Sequence, residues 1–274
     1  MSNLSSRILT ALIAGSVSIA AIVLSPYGLW IFCAIISLVS VWEFYQAAGI
    51  RARRYRYTML GSGLLIWLFL LLQLIADGLV EPSMQPVLAF SLLLLPILTM
   101  IALFDKAAQQ PVQTLGSLLL GFVYPFLPIL LFYRLSVPAI AAEYQFWLPL
   151  GILLLTWVLD SGAYAVGRLM GRHPLFPRIS PKKTWEGSIG GALLCLGLGV
   201  VLQIYVPQGN CNWIVVAAII SVFSQVGDLV ESMFKRSVAL KDSGSILPGH
   251  GGMLDRFDGV FLSVPFLYLY FSLC

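Results

Sequence analysis

The chain holds 274 residues, 59% of them hydrophobic and 10% charged, with a formal net charge of +4. A soluble domain carries about 25% charged and about 45–50% apolar residues, so one water-soluble core cannot hide this much apolar surface and lipid must take the rest. A secreted disulfide scaffold is excluded, because Cys33, Cys195, Cys211 and Cys274 stand singly in apolar surroundings, and the absence of a basic amphipathic helix or lysine tail argues against nucleic acid as a partner.

In chain order, apolar runs fall at 8–24, 28–48, 58–76, 86–104, 115–134, 146–166, 188–206, 213–234 and 254–273. A helix needs roughly 17–25 residues to cross the hydrocarbon layer, and most of these runs qualify. Arg7 with the first run has the layout of a signal peptide, and Ser18-Ile19-Ala20 offers a cleavage pattern; because further spans follow, it is read as a retained helix. The expected fold is therefore all-α, a polytopic integral membrane protein of nine transmembrane helices. The count is eight if the first two runs, separated only by Ser25-Pro26-Tyr27, form a re-entrant pair.

Cytoplasmic loops carry the excess of Lys and Arg. With nine spans and a cytoplasmic N-terminus, 15 of the 16 Lys and Arg residues fall inside, and only Arg134 falls outside. Residues 1–145 read as a lipid-facing scaffold. Residues 146–274 read as a catalytic region with two cytoplasmic polar loops, 167–187 and 235–252. Trp30, Trp147 and Trp213 fit interfacial anchors, and the cluster from Arg51 to Arg56 fits orientation and contact with anionic lipid heads. Glu43, inside the second span, has no evident role.

The last four spans carry Asp160, Asp228, Glu231, Asp255 and Asp258. An Asp at a helix centre costs about 2.5–3.5 kcal/mol to insert, so such groups need partners and generally have a task. Asp228 lies seven residues before Lys235, which on a helix is roughly 10 Å inward. Asp228 and Glu231 are three apart, as are Asp255 and Asp258, so each pair projects from one helix face. Two acidic pairs at one boundary repel each other unless cations lie between them. Hard divalent ions suit carboxylate ligands, whereas soft metals would want Cys and His clusters that are missing.

A blander account uses the helix N-terminus for Asp255 and Asp258 and pairs Asp228 and Glu231 with Lys235 and Arg236. It leaves unexplained why both pairs flank the same loop. The stretch 232–258 that contains this loop holds Lys235, Arg236, Lys241, His250, Gly251, Gly252 and Arg256; the earlier one runs Ser180-Pro181-Lys182-Lys183-Thr184-Trp185-Glu186-Gly187. Cations with glycines ahead of a helix N-terminus suit phosphate oxygens. A polyphosphate bound with metal is expected, without a Walker A or G-x-G-x-x-G sequence.

At these residues the sequence resembles the phosphatidate cytidylyltransferase (CDP-diacylglycerol synthase) family. Residues 232–258 fit that family's signature, S-x-φ-K-R-x4-K-D-x-[GSA]-x2-φ-P-x-H-G-G-φ-x-D-R-φ-D, at every specified position. Asp160-Ser161-Gly162-Ala163-Tyr164 with Gly167-Arg168, and residues 180–187, look like the family's other blocks. One departure is Gly259, where Ser is the commoner residue. The resemblance implies transfer of CMP from CTP to phosphatidic acid, giving CDP-diacylglycerol and pyrophosphate with Mg²⁺, with room for a second cation. The site would face the cytoplasm at the cell membrane, in contact with membrane lipids, and a homodimer is compatible.

Asp228 and Asp255 are then the leading metal ligands, followed by Asp258 and Glu231; Asp160 is either a further ligand or a partner of Tyr164 or Arg168. Lys235, Arg236, Lys241 and Arg256 would hold phosphates, with Ser180, Lys182, Lys183, Gly251 and Gly252 assisting, and His250 is a phosphate contact or a structural hydrogen-bonder. The attacking lipid phosphate is already ionised at neutral pH, so no general base is required. Two rivals stand beside this reading. A CTP-dependent lipid kinase of the polyprenol type would need similar contacts, and a carboxylate-coupled transporter would place its acids near the midplane of a repeat. What selects cytosine is not legible.

Overall fold

The computed structural model describes residues 3–50, 52–76, 85–105, 110–137, 144, 146–206, 212–240, 243–244 and 251–273. Its first break is local chemistry. Pro26 cannot donate to the preceding turn, and the Ser25 hydroxyl accepts the Gly28 amide at 3.0 Å, so helix α1 (Asn3–Leu24) ends and α2 (Pro26–Ala47) starts. α3 (Arg53–Ile75) and α4 (Gln85–Leu103) follow. Then come α5 (Pro111–Gly121), a π-helical turn over Phe122–Phe126 containing Pro125, and α6 (Leu127–Ser136). α7 (Trp147–Met170), α8 (Trp185–Tyr205), α9 (Trp213–Ser237) and α10 (Leu254–Leu273) complete the chain.

Each of the nine apolar runs falls on a helix, and among the described residues seven helical spans are long and apolar enough to cross a membrane. These are α2, α3, α4, the joined α5–α6 unit, α7, α8 and α9. α10 carries Asp255, Arg256 and Asp258 in its opening turns, and α1 offers the shorter apolar stretch Leu12–Leu24. The protein is a multi-pass membrane protein. Outward-facing leucines such as Leu92 and Leu103 fit that setting, since lipid can cover them.

The departure from an all-helical reading is small. Within the polar segment 167–187, Pro174–Phe176 (β1) pairs antiparallel with Ser180–Thr184 (β2). Gly171 and Pro174 stop α7, and the Thr184 hydroxyl, accepting the Gly187 amide at 3.2 Å, starts α8.

The core of the first half centres on Trp67. Its indole N–H donates to Ser37 Oγ at 2.8 Å, and Trp30 and Tyr133 pack edge-on against its ring. Trp213 is only 1% exposed, unlike a typical interfacial anchor, because its ring lies over Gly151, which has no side chain to hold it off. Cys33 and Cys195 are buried free thiols in the core, while Cys211 and Cys274 lie outside the described residues. Arg54 pairs with Asp105, which also accepts the Tyr55 hydroxyl, and Arg56 stacks on Trp42 at 4.6 Å; Arg51 and Lys106 lie outside the described residues.

In the second half α7 packs on α8, α8 on α9 and α9 on α10, and α10 also meets α6 and α2. Small residues set the α7–α8 distance. A methyl carbon on Gly191 would stand 2.6 Å from the Leu159 carbonyl oxygen, and one on Gly187 would stand 2.7 Å from that of Ala163. Membrane helices approach closely through such small residues spaced four apart.

Candidate active site

Asp228, Glu231 and Lys235 rise along one face of α9, at the three- and four-residue spacing that stacks side chains. Glu231 is buried, and its Oε2 lies 2.6 Å from Lys235 Nζ. Its other oxygen is buried with no hydrogen-bond partner. α10 crosses α9 where both helices lack side chains: a Cβ on Gly227 would lie 2.5 Å from the Asp258 carbonyl oxygen, and one on Gly259 would lie 3.2 Å from Ser224 Cβ. The crossing carries Asp258 to Asp228 and Glu231, so that ligand oxygens of all three lie within 4.8 Å of one another. Gly259, where the resemblance favours Ser, leaves the space that the Ser224 side chain of α9 fills.

Asp255, one turn earlier on α10, is held differently. Lys235 Nζ donates to its Oδ1 at 2.7 Å, the Gly252 amide to its Oδ2 at 2.8 Å, and the Ser243 amide lies 3.1 Å from Oδ2 and 3.3 Å from Oδ1. Lys235 thus links Glu231 to Asp255. Gly251 has φ +84°, a left-handed conformation in which a side chain would strain the backbone, and a Cβ there would come within 2.7 Å of Asp255 Oδ2.

From the other side comes the hairpin. The Glu186 carboxylate accepts the Arg172 and His173 amides at 3.1 and 3.2 Å and lies 2.5 Å from His173 Nδ1, which pins the hairpin to the first turn of α8. Lys183 on β2 then reaches Asp228 as an ion pair.

Between these elements lies a cavity of about 570 Å³, a size ordinary for a small-molecule ligand. Its charged lining is five carboxylates, Asp160, Asp228, Glu231, Asp255 and Asp258, and five cations, Arg168, Lys182, Lys183, Lys235 and Arg256. So many interspersed charges of both signs suit a ligand that brings phosphates together with metal.

The carboxylates fit a hard cation on the structure's own terms. Three of them crowd together, and the buried Glu231 oxygen has no donor. Like charges at this separation require a proton or a cation between them.

Of the other residues singled out from sequence, Arg236 turns to the Leu240 carbonyl at 3.5 Å, and Ser180 opens β2 outside the cavity lining. Lys241 and His250 lie outside the described residues. Gly252 sits beside Glu43 and Ser243, where a methyl carbon would stand 2.6 Å from Glu43 Oε2.

Sequence reasoning did not mark Gln225. Its side-chain amide donates to the Ser188 and Ser221 carbonyls at 3.2 and 2.9 Å, bridging α9 to α8 at the cavity wall. A polar residue three before Asp228 in an apolar span was the available signal. Tyr164 and Arg168, the partners in one of the two alternatives for Asp160, meet each other at 3.4 Å, and all three line the cavity.

The fold and this site define a membrane-embedded protein with a phosphate- and metal-compatible cavity at the ends of α7–α10. The model of the cytidylyltransferase family matches residues 5–274, and the chain belongs to that family. A phosphatidate cytidylyltransferase of Haemophilus influenzae is 33% identical over 98% of this chain and 99% of its own length. Phosphatidate cytidylyltransferases of Staphylococcus saprophyticus and Staphylococcus haemolyticus are 51% and 52% identical over 116 residues. In those two the matched region spans 42% of this chain and 45% of the staphylococcal protein.

Proposed function

We propose that this chain transfers the cytidylyl group of CTP to phosphatidic acid on the cytoplasmic side of the cell membrane, releasing pyrophosphate. The observation that carries the reading is the cavity. Asp228, Glu231 and Asp258 converge in it, and the hairpin brings Lys182 and Lys183 to the same lining, in a family of cytidylyltransferases. The Haemophilus relative, similar over nearly its whole length, supplies the acceptor in this proposal.

An oxygen of the lipid phosphate attacks the α-phosphorus of CTP, a new P–O–P bond forms, the α–β bridge breaks, and pyrophosphate leaves with the bond's electron pair. Because the nucleophile is already an anion, no residue need remove a proton. The chain's part is to hold charge and orientation. Lys182, Lys183, Arg168 and Arg256 would bind phosphate oxygens and neutralise the departing pyrophosphate. Asp255 holds Lys235 in place, and Lys235 in turn holds Glu231. Asp228, Glu231 and Asp258 would hold Mg²⁺, with Asp160 lining the same cavity. The ion supplies neutralisation of triphosphate charge as it develops.

The test is purified protein in detergent, given α-labelled CTP and phosphatidic acid with and without Mg²⁺. The expected products are CDP-diacylglycerol and pyrophosphate, formed only with the metal. Release of CDP instead would mark a lipid kinase and overturn the reading.

A further inference from the structure

Glu43 takes no part in the chemistry above, yet it is a carboxylate in the interior of α2 and only 1% exposed. A buried ionisable group in a membrane helix is costly unless something takes up its charge. Here its Oε2 accepts the Leu254 amide at 2.8 Å, across 211 residues of chain. Leu254 is the first residue of α10, and Met253 before it has no side-chain oxygen with which to cap that helix. The first amides of a helix lack partners within it, and an acidic group there also meets the positive end of the helix dipole. Glu43 therefore serves as the cap that the local sequence does not provide.

A second observation ties the same carboxylate to the site. A Cβ on Gly252 would stand 2.6 Å from Glu43 Oε2, and one on Gly244 would stand 2.8 Å from Glu43 Cδ, so the chain on both sides of the loop lies directly against this group. The amides of Gly252 and Ser243, beside those contacts, are the ones that hold Asp255. Asp255 thus accepts the amides of Ser243 and Gly252, and Glu43 packs against Gly244 and Gly252. Next to Glu43, Phe44 packs edge-on against Phe234 of α9 at 6.1 Å, so α2 is registered against both helices that carry the acids.

We infer that Glu43 is a positioning residue: by capping α10 from α2 it sets where Asp255 and Asp258 stand relative to Asp228 and Glu231. The inference rests on the metal-assisted reading of the site proposed above. It makes the N-terminal half a working part of the site, and it gives Gly252 a packing role beside any contact with substrate.

The test uses the full chain in detergent and Mn²⁺ as a paramagnetic probe, with free ion measured by electron paramagnetic resonance in the absence of substrates. Glu43→Ala is expected to weaken Mn²⁺ binding by about 10–100-fold, the range seen when a group supporting metal ligands is lost. Glu43→Gln keeps an oxygen for the Leu254 amide and should stay close to the parent protein. Should Glu43→Ala fail to fold, Gly252→Ala decides, because its methyl group must displace both Ser243 Oγ and, at 2.6 Å, Glu43 Oε2, and so weaken binding similarly.

A purely structural role would lower thermal stability while leaving the affinity of the folded protein unchanged, and that result overturns the inference. So does a folded Glu43→Gln protein that loses as much affinity as Glu43→Ala. Parent protein that binds no Mn²⁺ overturns the metal reading and the inference with it, whereas unchanged binding in Glu43→Ala overturns the inference alone.

Discussion

At the scale of single residues, two aspartates one turn apart on α10 are held by different partners. Asp258 shares a 4.8 Å neighbourhood with Asp228 and Glu231, while Asp255 is saturated by Lys235 and two backbone amides. The two Asn substitutions should therefore behave differently. Asp255→Asn should weaken metal affinity by about 10–100-fold, the cost of disturbing a group that supports the ligands. Asp258→Asn removes an oxygen from the cluster itself and should exceed that range, with activity not recovered by millimolar Mg²⁺. Mg²⁺ titrations of initial rate for both variants check this, and the reverse order would return Asp255 to the ligand set.

At the scale of elements, the α9–α10 crossing controls the site because it sits next to the acids. Gly227 adjoins Asp228 and Gly259 adjoins Asp258, and Gly259 leaves no room for a side chain opposite Ser224. Gly259→Ser should overpack this contact at a cost of about 1–3 kcal/mol, lowering both the melting temperature and the turnover. Adding Ser224→Gly makes the space again and should restore most of both. A double-mutant cycle on melting temperature and rate measures this coupling; additive losses would show that the crossing has slack. The hairpin is a second such element. Thr184 and Glu186 fasten it to α8, and it delivers Lys183 to Asp228.

At the scale of the whole molecule, the proposed orientation, which puts 15 of the 16 Lys and Arg residues inside, would turn the hairpin and the cavity to the cytoplasm. Arg178 lies at the exposed tip of the hairpin. Cys33 and Cys195 are buried. With Cys211 and Cys274 replaced by Ser, Arg178→Cys should react with a membrane-impermeant maleimide in inverted vesicles and stay unlabelled in right-side-out ones. Labelling in the opposite pattern would reverse the orientation and deny the site its cytoplasmic nucleotide.

The apolar runs, the acids spaced three apart and the dense signature at 232–258 determined the membrane class, the helices, the family resemblance and the segments that carry the site. Helical periodicity is a local property, so a sequence states which residues share a face. It does not state which face meets which. That depended on the crossing at Gly227 and Gly259, which gathers Asp258 with Asp228 and Glu231 while Asp255 meets Glu231 through Lys235, and on the hairpin that carries Lys183 across. Glu43 shows the limit most clearly. Alone in an apolar span it has no readable purpose, and only folding across 211 residues sets its carboxylate on the first amide of α10. A buried charge takes its role from its partner, and here the partner is supplied by tertiary contact.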